Sequence, residues 1–175
     1  MQECNLENKI LELQNQYYQQ NPKPTISFTN NQKMNCAKTI SQHIQIDQLF
    51  QKTVYNLPET NKVYFDYIIF KTFAHPAIYD KLLDDIIVLL TGCIQTYGSI
   101  EIHINLNTFT MTAAQRYKPI IQLFCNKCLQ NTNTAISTHV TQMYIYNSPK
   151  MINTLSTVFA GFIDDNIRSK INIVN

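Results

Sequence analysis

Tryptophan is absent from this 175-residue chain, glycine occurs only three times, and 15% of the residues are charged. The scarcity of glycine excludes most: none sits in a phosphate-cradling loop, so the usual dinucleotide and P-loop fingerprints are missing. Arginine is limited to Arg116 and Arg168, and 14 Lys+Arg against 12 Asp+Glu leave a formal charge of +2. Nucleic-acid binding needs clustered cations to displace counterions, and this balance argues against it. The longest apolar run, Ile86 to Leu90, is far too short to span a bilayer. The first twenty residues carry acids and amides without an apolar stretch, which argues against a signal peptide, and no lipidation signal is visible at either end. Five cysteines (Cys4, Cys36, Cys93, Cys125, Cys128) leave at least one unpaired and suit a reducing interior. The expectation is a soluble, cytoplasmic protein.

Neutral amides replace charge: 19 Asn and 15 Gln stand beside 23 Ile and 10 Tyr. Disordered amide-rich chains lack apolar residues, whereas this one is 45% hydrophobic and long enough for a self-sufficient core. Enzymatic signatures fail in turn. There is no G-x-S-x-G elbow and no H-E-x-x-H. Cys125 and Cys128 form a C-x-x-C, but zinc needs two further ligands at suitable spacing, and a redox pair belongs at a helix N-terminus rather than near the end of one. Asp84-Asp85 and Asp164-Asp165 are adjacent pairs whose side chains diverge on a helix, and they read as solvated or capping acids. His103, between Glu101 and Asn105, reads first as a hydrogen-bonded residue on a polar sheet face and only second as a base. No metal, cofactor or catalytic residue is expected.

Helical spacing of Leu6, Ile10, Leu13 and Tyr17 predicts a helix over Glu3 to Gln20, stopped by Asn21-Pro22-Lys23-Pro24. Residues 25–38 look irregular, with a short strand at Ile26 to Thr29, and 39–57 are ambiguous between helix and strand. From Lys62 onward the pattern sharpens. Val63 to Phe70 reads as a strand, Ile78 to Leu90 as a helix ended by Thr91-Gly92, and Ser99 to Leu106 as a strictly alternating strand. Thr112 is the expected cap of a helix reaching about Gln130, with Pro119 a kink. Thr141 to Tyr146 is a strand, Met151 to Phe162 a helix and Ile171 to Val174 a last strand. Repeated strand–helix alternation predicts an α/β fold with a mainly parallel sheet of four to six strands.

The run Tyr146-Asn147-Ser148-Pro149, the segment to Ile163, and Ile167-Arg168-Ser169-Lys170-Ile171 resemble the CRAL-TRIO family. There a strand ends in I-N-A-P, a helix of the form x-x-F-x-x-x-W-x-x-x-K-P-F-L follows, and S-K-I leads into the next strand. Upstream, Asn105-Leu106-Asn107-Thr108-Phe109-Thr110 resembles the strand-end motif D-L-x-G-F-S/T. The resemblance covers roughly 62–174. It implies a CRAL-TRIO-like α/β domain over 62–175, preceded over 1–61 by a helix and a poorly defined lead-in.

The resemblance also implies a lipid-binding protein without covalent chemistry, engaged in transfer or sensing. Met151, Ile152, Leu155, Val158, Phe159 and Phe162 would face an internal pocket as a gate over 148–162, hinged near Pro149 and Gly161. His103, Tyr144 and Tyr146 would line the pocket, and Lys170 would stand where phosphoinositide-transferring members place a headgroup lysine. The partner acid of that lysine is replaced by Thr138, the gate Trp by Ser156, the K-P pair by Ala160-Gly161 and the motif Asp by Asn105. The expected partner is a lipid or hydrophobic small molecule, with transient membrane contact and no nucleic acid. The minimal outline also resembles the BCH branch, which implies the alternative of an interaction scaffold with a collapsed pocket, binding a small GTPase or a second copy.

Overall fold

The computed structural model describes residues 3–22, 29–129, 135–150, 161 and 163–174. Helix α1 (Glu3–Gln20) buries Ile10 and packs Leu6, Leu13 and Tyr17 against the main core, on the face their spacing predicts. Helix α2 (Thr29–His43) replaces the irregular stretch expected there, and Thr29 opens this helix instead of closing a strand; residues 23–28 lie outside the described residues. Its buried residues Gln32, Cys36, Ala37 and Ile40 share one face, but an amide in an apolar slot conceals the period. Gln32 is tolerated there because its amide donates to the Asn21 carbonyl at 2.6 Å. Helix α3 (Ile46–Thr53) runs directly into strand β1 (Val54–Asn56).

Strand β2 (Lys62–Asp66) ends four residues before the predicted Phe70, and helix α4 (Tyr67–Phe73) begins at once. The switch is made by Asp66, whose Oδ1 accepts from the Ile68 N–H at 2.7 Å and caps the helix. Tyr67, Phe70 and Phe73 then recur at helical spacing and are buried. After a 3₁₀ turn at Pro76–Ile78, helix α5 (Tyr79–Tyr97) passes through Gly92 and stops at Gly98. Gly98 holds φ at 75° while its N–H reaches the Ile94 carbonyl at 2.7 Å, a left-handed cap that suits glycine.

Strand β3 (Ile100–Asn105) leads to helix α6 (Met111–Phe124), which continues as a π-helical turn at Cys125–Leu129. The cap is Thr110, whose hydroxyl accepts from the Ala113 N–H at 3.2 Å, two residues before the expected Thr112. Helix α7 (Ala135–His139), strand β4 (Val140–Tyr146), helix α8 (Asp165–Arg168) and strand β5 (Ile171–Val174) complete the described elements. Asp164 caps α8 through the Ile167 N–H at 2.8 Å, the role its sequence position suggests. Apart from Gly161, the helix expected at Met151 to Phe162 lies outside the described residues.

The fold is α/β, with a sheet in the order β1-β2-β3-β4-β5. β1 pairs antiparallel with β2, and every later neighbour is parallel. Residue 61, where the sequence suggested a domain boundary, lies in the turn between paired strands β1 and β2. Both hydrophobic clusters draw on one face of the sheet, with Val63, Ile100, Ile102 and Met143 in one and Phe65 packed against both. The other face contributes to neither.

Candidate ligand-binding site

Register converts the strand sequences into two parallel rows on the helix-covered face. Val54, Phe65, Ile104, Ile145 and Ile173 pair successively across all five strands, and Val63, Ile102, Met143 and Ile171 form the row beside them. Each row exists because side chains alternate faces with period two, so apolar residues at every second position collect on one side. These rows form the floor of a chamber of about 500 Å³. Ile86 and Leu90 of α5 and Tyr117, Ile120 and Phe124 of α6 form its walls. Tyr67 and Phe109, in edge-to-face contact at 4.8 Å, bound the chamber at the α4 end.

One charged side chain reaches this lining. Arg168 of α8 pairs with Asp165 at 3.1 Å and donates to the Ile163 carbonyl at 3.3 Å. The chamber volume falls within the ~300–1,000 Å³ range of small-molecule sites, and its chemistry is apolar burial.

His103, Tyr144 and Tyr146 occupy the opposite face of the sheet, which corrects their expected place in the pocket. The cause is the same alternation: Ile102 and Ile104 point to the chamber, so His103 between them cannot. The rings of Tyr55, Tyr64, His103 and Tyr144 stack across neighbouring strands, with centroids 5.6, 4.4 and 5.1 Å apart. His103 is 4% exposed and hydrogen-bonded on both nitrogens, Nε2 to Glu101 Oε1 at 2.7 Å and Nδ1 to the Tyr146 hydroxyl at 2.8 Å. Both ring nitrogens are thus engaged by neighbouring side chains of the sheet.

Lys170 lies outside the chamber, and its ammonium donates to the Val140 carbonyl at 2.7 Å. Met151, Ile152, Leu155, Val158, Phe159 and Phe162 are outside the described residues. Sequence reasoning missed Phe65, Ile145 and the wall residues of α6. The alternation of Ile100, Ile102, Ile104 and Leu106 already contained the signal, since the apolar face of β3 marks the side on which any apolar chamber must lie.

Burial pushes the thiols of Cys125 and Cys128 up to about 12, the latter raised further by Cys125 and lowered by Lys127. Such thiols stay protonated and unreactive, in line with the core reading of the C-x-x-C. Among the described residues no three His, Cys, Asp or Glu side chains gather to hold a metal, and no helix is long and apolar enough to cross a membrane.

A mainly parallel sheet, walled on one face by its crossover helices around an apolar pocket, defines an α/β domain of sheet and flanking helices. The chain belongs to the CRAL/TRIO domain family, whose match spans residues 86–175, and that family is one of lipid-binding and lipid-transfer domains. Among solved structures, a crystal structure of Sfh5 is similar with a TM-score of 0.52 and 9% identity, covering 96% of this chain. The chain spans 66% of that protein's length, and at this identity the likeness concerns the fold. No curated protein matches the chain.

Proposed function

We propose that the protein holds a single lipid, or another apolar or amphipathic molecule, in the chamber beneath a gate at 148–162, and acts in lipid transfer or sensing. The chamber itself carries this reading. Its lining is almost wholly apolar and partly open, so an apolar occupant would take that surface out of water, at about 0.8 kcal/mol for each CH₂ enclosed. A collapsed interaction scaffold would need a filled core, and the chamber counts against that alternative.

Topology supports the position of the gate. β2, β3, β4 and β5 follow one another across the sheet in sequence order, so right-handed crossovers all fall on one face. α5 and α6 already lie there, and the connection from β4 to β5 belongs over the same chamber. Met151, Ile152, Leu155, Val158, Phe159 and Phe162 would then supply the apolar cover, with Pro149 and Gly161 near the hinges. Binding is non-covalent, and entry requires the gate to swing during transient membrane contact. The position of Lys170, together with Thr138 in place of an acid, gives no support to an inositide headgroup there.

Native mass spectrometry of gently purified protein tests the reading. A co-purifying lipid is expected in one-to-one stoichiometry, and it should be lost in Leu155→Asp and Phe159→Asp. A lipid-free chain that takes up no lipid from vesicles, or undiminished uptake by the two Asp variants, would sink the chamber or the gate respectively.

A further inference from the structure

A second cavity, about 190 Å³, lies where α1 and α2 meet α4 and the start of α6. Its character is the reverse of the chamber's. Lys33, Lys71 and Arg116 line it, along with the hydroxyl side chains of Thr72, Thr108 and Thr110, and no Asp or Glu is among its lining residues. Lys71 Nζ donates to Thr108 Oγ1 at 2.7 Å, and the Arg116 guanidinium is steadied by Asn30 Oδ1 at 2.7 Å from Nη2 and 3.2 Å from Nε. Neither cation has a carboxylate within ion-pair distance among the described residues, the nearest acid influence on Lys71 being that of Asp66, the α4 cap. Burial lowers the Lys71 pKa, with the Asp66 carboxylate opposing part of that shift. Thr110 caps α6, so the positive end of a 14-residue helix adds its field to the same space.

Thr108 supplies an independent observation. Its φ is 66°, a left-handed conformation that a β-branched residue avoids, and it stands where the strand-end motif of the resembled family has glycine. The substitution strains the backbone and places a hydroxyl on Lys71. We propose that this cavity is a binding site for a phosphate-type oxyanion, distinct from the apolar chamber and assembled by Lys71, Arg116 and Lys33 with the hydroxyls of Thr108 and Thr110. The site does not depend on a ligand in the chamber. Tyr67 lines both cavities, so the anion is either a free phosphate or the headgroup of a lipid whose tails pass Tyr67.

Titration of inorganic phosphate into the full chain, followed calorimetrically and by phosphorus NMR, reads the site directly. Binding should weaken at least tenfold in Lys71→Met and in Arg116→Gln and fall with added salt. Thr108→Gly should weaken phosphate binding while leaving Tm unchanged or higher, because it removes the hydroxyl and relieves the strain together; a merely structural threonine would show no loss of binding. Native mass spectrometry with equimolar phosphatidic acid and diacylglycerol, which differ only by the phosphate, separates the sources. A preference for phosphatidic acid that Lys71→Met abolishes assigns the anion to a headgroup, whereas phosphate binding without that preference assigns it to a free anion. Phosphate binding in a chain that captures neither lipid would refute the chamber reading and leave this one standing. Absence of both phosphate binding and lipid preference, or binding indifferent to both cation substitutions, would overturn it.

Discussion

Ile104 sits at the centre of the chamber floor, paired with Phe65 on one side and Ile145 on the other, and its replacement by tryptophan separates a chamber from a packed core. In a filled core the larger ring would over-pack, at ~1–3 kcal/mol. For a domain of this size that lowers Tm by roughly 2–4 °C per kcal/mol. Facing a cavity of about 500 Å³, the ring enters open space, and Ile104→Trp is expected to keep Tm within about 2 °C of the parent. Lipid capture responds in the opposite way. Tryptophan adds about six heavy atoms, and if each displaces a tail carbon the loss approaches ~5 kcal/mol at about 0.8 kcal/mol per CH₂. Half that figure still weakens binding on the order of 50- to 100-fold. The assay is displacement of a fluorescent acyl probe, run beside thermal unfolding, with Val88→Trp as the control because Val88 is 71% exposed on α5. A variant that loses several degrees of Tm yet captures lipid as before would refute the reasoning.

Gly98→Ala should destabilise by about 1–2 kcal/mol, read as a lower urea midpoint, because φ is 75° while a Cβ would meet nothing within 4 Å, leaving backbone strain as the whole effect. Cys125 and Cys128, with pKa values near about 12, should be alkylated by iodoacetamide on the order of a thousandfold slower than a free thiol near about pH 8, and at ordinary rates once the chain is denatured; fast labelling of the folded chain would contradict their burial. Burial, and then Lys38, holds the His75 pKa below its usual value, and His75 Nε2 lies 2.9 Å from the Ser41 hydroxyl. The folded state therefore favours neutral His75: its contribution is present above the unfolded pKa of about 6.5 and is lost as pH falls through the lowered folded value. Urea midpoints between about pH 7.5 and pH 5 should decline less in His75→Gln than in the parent, and parallel declines would rule this source out.

Where strand and helix periods were undisturbed, the chain was legible. The alternation in β3, the β-branched run of β5 and the apolar face of α1 each predicted the element observed. Errors cluster where one residue's hydrogen bond overrides a propensity. Asp66 caps α4 in the middle of a run that reads as strand, Gly98 rather than Gly92 ends α5, and buried Gln32 hides the period of α2. The candidate site was half legible. Motif order points to the family and, through the resemblance, to an apolar pocket, but a motif does not say which face of a strand a side chain takes, and His103, Tyr144 and Tyr146 stack on the far face.

What this sequence determines by itself is local and compositional: apolar residues at period two or 3.6, too few glycines for a phosphate loop, too little charge for nucleic acid. Those properties reside in neighbouring residues, so they survive without knowledge of the fold. The tertiary structure alone decided which face of the sheet lines the chamber, because register across five strands, not any one strand, aligns Val54, Phe65, Ile104, Ile145 and Ile173. It alone brought Lys33, Lys71, Thr108 and Arg116, up to 83 positions apart, around one small cavity. Charge scattered along a nearly neutral chain is invisible as a site until folding removes the water and the distance between its parts.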